Sequence, residues 1–195
     1  MQINQTGRSM IEMLGVLSII GVLTVGGLTV IAKARRQQSI TQTVSEISQL
    51  VESSKKIACQ YDSGYGDFVN YLYRSEAYPN GLDFTYANNG SSFTLSGDVT
   101  IKMPHKDAKP SGNGEERFPH FIMEISDMNE DTCVNLASSN WGSGETNGYI
   151  GATFNKDDDY ANMATNYPRM DPGTAAAGCK EDGTTKLYLG FRICK

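Results

Sequence analysis

The chain has 195 residues, 4 cysteines, 20 glycines and a formal net charge of −5, a length that fits one globular domain with something added. Residues 1–36 carry Arg8, Lys33, Arg35 and Arg36 against Glu12, a net +3, which leaves −8 on the other 159 residues. A domain that acidic is repelled by a phosphate backbone, which argues against nucleic acid as a partner, and only His105 and His120 are available for histidine chemistry.

The first element in chain order is apolar. Met13 to Ala32 is a run of 20 residues without a charge. At about 1.5 Å per residue it covers the roughly 30 Å hydrocarbon core of a bilayer. A cleaved signal peptide would have a basic start, a shorter apolar core and a small-residue cleavage site. Here Met1 to Gly7 carry no charged side chain, and the run passes straight into Lys33-Ala34-Arg35-Arg36. The expectation is a helix that is kept. Glu12 interrupts its start, and a carboxylate within lipid costs up to about 3 kcal/mol. Either Glu12 sits at the headgroup level or it has a partner.

Gly7-Arg8-Ser9-Met10-Ile11-Glu12-Met13-Leu14, followed by Gly15-Val16-Leu17-Ser18-Ile19-Ile20-Gly21-Val22-Leu23, resembles the N-terminus of a type IV pilin or pseudopilin. The resemblance implies a leader, residues 1–7, that prepilin peptidase removes by cutting between Gly7 and Arg8. Arg8 would then be the first mature residue and the possible site of N-methylation. Glu12 would be the fifth, and would pair with the N-terminal amine of a neighbouring subunit as an assembly residue. Opposite charges attract strongly in a low dielectric, and an unpaired one is expensive. Small residues at Gly15, Ser18, Gly21 and Gly26-Gly27 permit close helix approach. Counting basic residues on either side of the apolar run would keep the C-terminal part in the cytoplasm. The resemblance places it outside, and the cysteines agree with export.

Residues 8–36 are thus expected as a transmembrane assembly helix and 37–59 as the amphipathic half of the same helix. Ile40, Val44, Ile47 and Val51, with Leu50 beside them, form one apolar stripe. Gln42, Ser45, Glu46, Gln49 and Ser53 fall on the other face. A helix from Met10 to Cys59 would be about 75 Å long.

Residues 60–195 are expected as a periplasmic or extracellular head. Asp83–Ala87, Ser92–Gly97 and Asp98–Met103 read as short strands, with Ser96-Gly97-Asp98 as a hairpin turn. Pro104–Phe118 reads as an exposed loop and His120–Ile125 as a strand. Gly151–Asn155 reads as another strand and Tyr160–Gly178 as loop. Leu187, Leu189, Phe191 and Ile193 alternate as a half-buried final strand. A long helix followed by antiparallel strands gives an α+β fold. Asp131-Thr132-Cys133-Val134-Asn135-Leu136-Ala137, then Trp141-Gly142, resembles a short cysteine-bearing helix and tryptophan-glycine turn of type IVb pilin heads.

Cys59, Cys133, Cys179 and Cys194 have no metal-ligand spacing and read as two disulfides in an exported domain. The pilin resemblance implies one bridge tying down the C-terminal segment. That is expected as Cys133–Cys194, leaving Cys59–Cys179; the rival is Cys179–Cys194 with Cys59–Cys133. Asp157-Asp158-Asp159 and Asp127-x-Asn129-x-Asp131 invite calcium, but the second lacks the glycine and the bidentate glutamate of an EF-hand loop. Neither histidine sits in a motif, and Asn140-Trp141-Gly142-Ser143-Gly144 matches neither a nucleophile elbow nor a phosphate loop.

The sequence therefore predicts a non-enzymatic, type IV pilin-like subunit without cofactor or metal. It is held in the bacterial inner membrane before assembly and polymerised into a surface filament for adhesion, motility, secretion or DNA uptake. Its expected partners are prepilin peptidase, other pilin subunits, the inner membrane and the pilus assembly machinery. The alternative is a single-pass anchored binding or enzymatic domain that never polymerises.

Overall fold

The computed structural model describes residues 6–58, 68–88, 90–103, 120–142, 148–154, 170–180 and 184–192. The helices are α1 (Thr6–Ala58), α2 (Phe68–Arg74), α3 (Glu130–Ser138) and α4 (Pro172–Gly178). The strands are β1 (Asp83–Thr85), β2 (Ser92–Thr94), β3 (Thr100–Lys102), β4 (His120–Ser126), β5 (Tyr149–Phe154) and β6 (Leu187–Arg192). The chain divides into two compact units, Met1–Ser39 and Ile40–Lys195.

The second unit is α+β, as expected. Its sheet is antiparallel throughout, with strand order β1-β2-β3-β4-β6-β5. Ile40, Ile47, Leu50 and Val51 of α1 are buried, so the apolar stripe at helical spacing is the face that packs. Ile47, Leu50 and Val51 share one core with Phe93, Ile101, Met123, Ile125, Leu187 and Leu189, which alternate along their strands toward one side of the sheet. Turn chemistry fixes the β2–β3 hairpin: Gly97 (φ 82°) and Asp98 (φ 62°) both have left-handed backbone, which glycine and aspartate tolerate best.

Helical spacing puts Glu46 on the face opposite the apolar stripe. In the fold its carboxylate instead accepts from the Ser96 amide (2.9 Å) and the Ser96 hydroxyl (2.6 Å) in that hairpin turn. Thr43, buried on the same side, donates its hydroxyl to the Ser96 carbonyl at 2.7 Å. Hydrophobic periodicity overlooks such residues, because polar atoms are buried when a partner awaits them.

Two helices were not anticipated. α2 is rich in aromatic and β-branched residues, which favour helix weakly, and its Phe68, Val69 and Leu72 are nonetheless buried. Packing has overridden propensity there. The reading of Tyr160–Gly178 as loop is corrected at its C-terminal end by α4. Asp171 caps that helix by accepting from the Gly173 amide (3.0 Å) and the Thr174 amide (3.1 Å), and Pro172 occupies its first turn. Hydrogen bonds from the Thr174 hydroxyl and amide hold the exposed Asp171 carboxyl below its usual range. The strand expected at Gly151–Asn155 runs instead from Tyr149 to Phe154, with a register shift between Tyr149 and Gly151.

The expected disulfide pairing is also corrected, along with its rival. Cys133 is bonded to Cys179, with Cα atoms 5.9 Å apart and both residues buried. α3 carries Cys133, Cys179 caps α4, and the two helices lie side by side. Reading α4 as loop hid that neighbourhood. Cys59, Cys194, the Pro104–Phe118 loop, His105, the triple aspartate and Ser143-Gly144 lie outside the described residues.

Phe191 gathers an aromatic cluster with Phe121 (centroids 5.4 Å apart), Tyr149 (5.6 Å) and Trp141 (6.4 Å, edge-on). Tyr149 is 3 % exposed, and its hydroxyl has no hydrogen-bond partner among the described residues. Burial pushes its pKa up to about 12. A phenol whose folded pKa lies above its unfolded value stabilises the fold fully below about pH 10 and loses that contribution as pH rises toward 12. Removing an unsatisfied buried hydroxyl relieves its desolvation cost. Tyr149→Phe is therefore expected to stabilise the head by about 1 kcal/mol and to flatten the alkaline limb of its stability curve. Urea unfolding at neutral and alkaline pH checks both effects.

Candidate functional site

The first unit is the apolar part of α1. Fourteen large apolar side chains between Met10 and Ile31 are each 51–75 % exposed, so the chain itself does not cover them. A monomer in water does not leave so continuous an apolar surface bare. By length and composition, α1 contains a stretch able to cross a membrane.

The hydroxyls within the uncharged run are arranged for such a setting. Ser18 donates to the Gly15 carbonyl (2.8 Å), Thr24 to that of Ile20 (2.6 Å) and Thr29 to that of Gly26 (2.9 Å). Each satisfies its donor on the helix backbone, which removes the cost of presenting it to hydrocarbon. Gly15, Gly21, Gly26 and Gly27 have nothing within 4 Å of the place a Cβ would occupy. They are notches on the helix surface that no described residue fills. At 3.6 residues per turn Gly15, Ser18, Gly26 and Thr29 fall on one side of the helix.

Gly7 and Arg8 lie in the first turn of α1, where backbone amides have no intrahelical acceptor. A bond there unwinds at less cost than one in the helix interior. Glu12 follows about one turn later, exposed, and it has no ion pair or hydrogen bond among the described residues. It is the single charged side chain between Arg8 and Lys33. The fold thus sets one carboxylate among exposed apolar side chains, with no ion pair to it among the described residues.

The remaining candidates have structural duties. Asn129 caps α3 by accepting from the Thr132 amide at 3.0 Å, Asp131 stands in that helix's first turn, and Asp127 accepts from the Ser126 hydroxyl at 3.0 Å. Those geometries spread the three residues over a strand end, a cap and a helix. The tryptophan-glycine turn follows α3: the Trp141 indole donates to the Leu136 carbonyl at 2.9 Å, and Gly142 takes a left-handed φ of 92°.

No protein-family model matches the chain, and no curated protein matches it. Among solved structures, it is similar to the crystal structure of the type IVb pilin from Salmonella typhi, with a TM-score of 0.52 at 14 % identity. The match covers 80 % of this chain and 99 % of that one. The chain has a type IV pilin-like fold, and its head resembles the type IVb form.

Proposed function

We propose that this chain is a prepilin, cleaved between Gly7 and Arg8 and polymerised through α1 into a type IV pilus-like filament. The observation that carries the reading is the exposed apolar surface of α1, with Glu12 alone in it, on a chain of pilin-like fold. Before assembly, that surface is covered by the inner membrane; afterwards, by the same surface of neighbouring copies. Exchanging lipid for helix gives little net hydrophobic driving force, so close packing at the glycine notches and pairing of charge have to favour the filament. Glu12 supplies that pairing by neutralising the N-terminal amine of the adjacent subunit. Prepilin peptidase creates this amine at Arg8, which is also the position for N-methylation. The product is a structural subunit, not an enzyme, that works with the pilus assembly machinery and displays its head at the surface for adhesion, motility, secretion or DNA uptake.

Only one of the three ways to pair four cysteines contains Cys133–Cys179, and it pairs Cys59 with Cys194. An intact mass and N-terminal sequence, taken without reductant after co-expression with a prepilin peptidase, tests processing and export together. The expected mass lacks Met1–Gly7, begins at Arg8 and is four hydrogens light. An uncleaved chain with four free thiols would overturn the reading in favour of a cytoplasm-facing anchor.

A further inference from the structure

A groove of about 470 Å³ opens on the head beside the C-terminal half of α1. Its lining comes from α1 (Ser48, Val51, Glu52, Lys55), from the turn after α3 (Asn140, Trp141) and from Phe191 of β6. The volume falls within the range of small-molecule sites. Four of these seven residues end in a polar or charged group, so the groove is not built for a wholly apolar occupant.

The polar groups divide by role. Lys55 is half-buried, with its Nζ 5.5 Å from the centroid of the Phe191 ring. Glu52 makes its ion pair with Lys56 at 3.0 Å, and Lys55 has none among the described residues. Burial lowers the Lys55 pKa, and the nearby Glu52 carboxylate offsets that only in part. Asn140 uses its carbonyl oxygen to accept from the Gly142 amide at 3.1 Å, which leaves its NH₂ as a donor. Ser48 donates to the Val44 carbonyl at 2.8 Å, which leaves its oxygen as an acceptor. The exposed Glu52 carboxylate has lone pairs to spare beyond Lys56. Val51, Trp141 and Phe191 supply apolar surface between these groups.

A half-buried cation with no ion pair among the described residues, one amide donor, two acceptors and an aromatic lining together describe a polyhydroxylated anion with an apolar face. We propose that this groove binds an acidic monosaccharide, with its carboxylate on Lys55, its hydroxyls on Asn140, Ser48 and Glu52, and its C–H face against Trp141 and Phe191. The site lies wholly within the second unit and does not depend on polymerisation.

Trp141 is the single tryptophan of the chain, so its emission reports on the groove alone. The test titrates the full-length chain in detergent with D-glucuronate, reading Trp141 fluorescence and saturation transfer to the sugar protons. Saturable binding is expected. D-glucose, and the Lys55→Gln variant toward glucuronate, should each bind about tenfold more weakly or worse, the loss of one charge-assisted contact. Lys55→Arg should keep most of the affinity, and thermal melting establishes that both variants are folded. Absence of a saturable response to glucuronate by either readout overturns the proposal. So does equal affinity for glucose, which would make Lys55 irrelevant. Equal affinity for benzoate would overturn it too, because the groove would then take any flat anion.

Discussion

Replacing Glu12 by alanine is expected to leave the protein in the membrane and to remove it from filaments. The two halves of that result have separate causes. Glu12 is the only charge in an exposed apolar stretch, so deleting it lowers the cost of insertion by up to about 3 kcal/mol. Insertion therefore survives. In the filament proposed above, polymerisation would lose the pairing between the carboxylate and a neighbour's amine. At an effective dielectric of 20 and 4 Å that attraction is about 4 kcal/mol, close to a thousandfold in the equilibrium for each subunit added. The amine left behind, buried and unpaired, opposes assembly further. Immunoblots of membrane and sheared-surface fractions separate the two effects. Glu12→Gln should fail nearly as badly, because it keeps the shape and loses the charge. Normal filament yield from either variant would show that Glu12 does not drive assembly.

The second large effect is expected at the Cys133–Cys179 bridge. It joins positions 46 apart in sequence, and loop-closure entropy for that separation gives about 4 kcal/mol of stabilisation. The Cys133→Ala/Cys179→Ala double variant removes the bridge without leaving a lone thiol to mispair. For a domain of this size, that loss corresponds to a fall in melting temperature of roughly 10–15 °C. Circular dichroism melts of the full chain in detergent measure it. A fall of less than a few degrees would mean that α3 and α4 hold each other by packing alone. Because the bridge is buried, reductant should act on it only as the head opens.

The helix over residues 10–58 was legible in the sequence because its signals are strong and local. Twenty uncharged residues and the stripe of Ile40, Ile47, Leu50 and Val51 fixed one long helix, and the structure draws it from Thr6 to Ala58. The hairpin turn at Ser96-Gly97-Asp98 and the alternation of Leu187, Leu189 and Phe191 were similarly direct. What escaped notice depends on contacts between distant residues. α2 carries four strand-favouring residues, Phe68, Val69, Tyr71 and Tyr73, and is helical in its packed setting. Glu46 looks like a surface residue until Ser96, fifty positions away, offers it two hydrogen bonds. Cys179 found its partner through a short alanine-rich helix that composition alone suggests weakly. The groove brings α1, the turn after α3 and β6 together, and no sequence window contains all three.

The position of β6 sets an order of events. This strand is last in sequence but lies between β4 and β5, paired to both along its length. Its Tyr188 hydroxyl donates to Glu124, 64 residues earlier, at 3.3 Å. Until residues 187–192 arrive, β5 has no neighbour in the sheet and the core lacks Leu187, Leu189 and Phe191. The sheet therefore closes only when β6 is in place, which makes its arrival a late step in completing the head. Cys133 and Cys179 both precede β6, so an oxidant can join α3 to α4 before that step, making the final search shorter. For the subunit proposed above, which would cross a bilayer as a chain and work afterwards as a rigid body, closure after a delay suits both tasks.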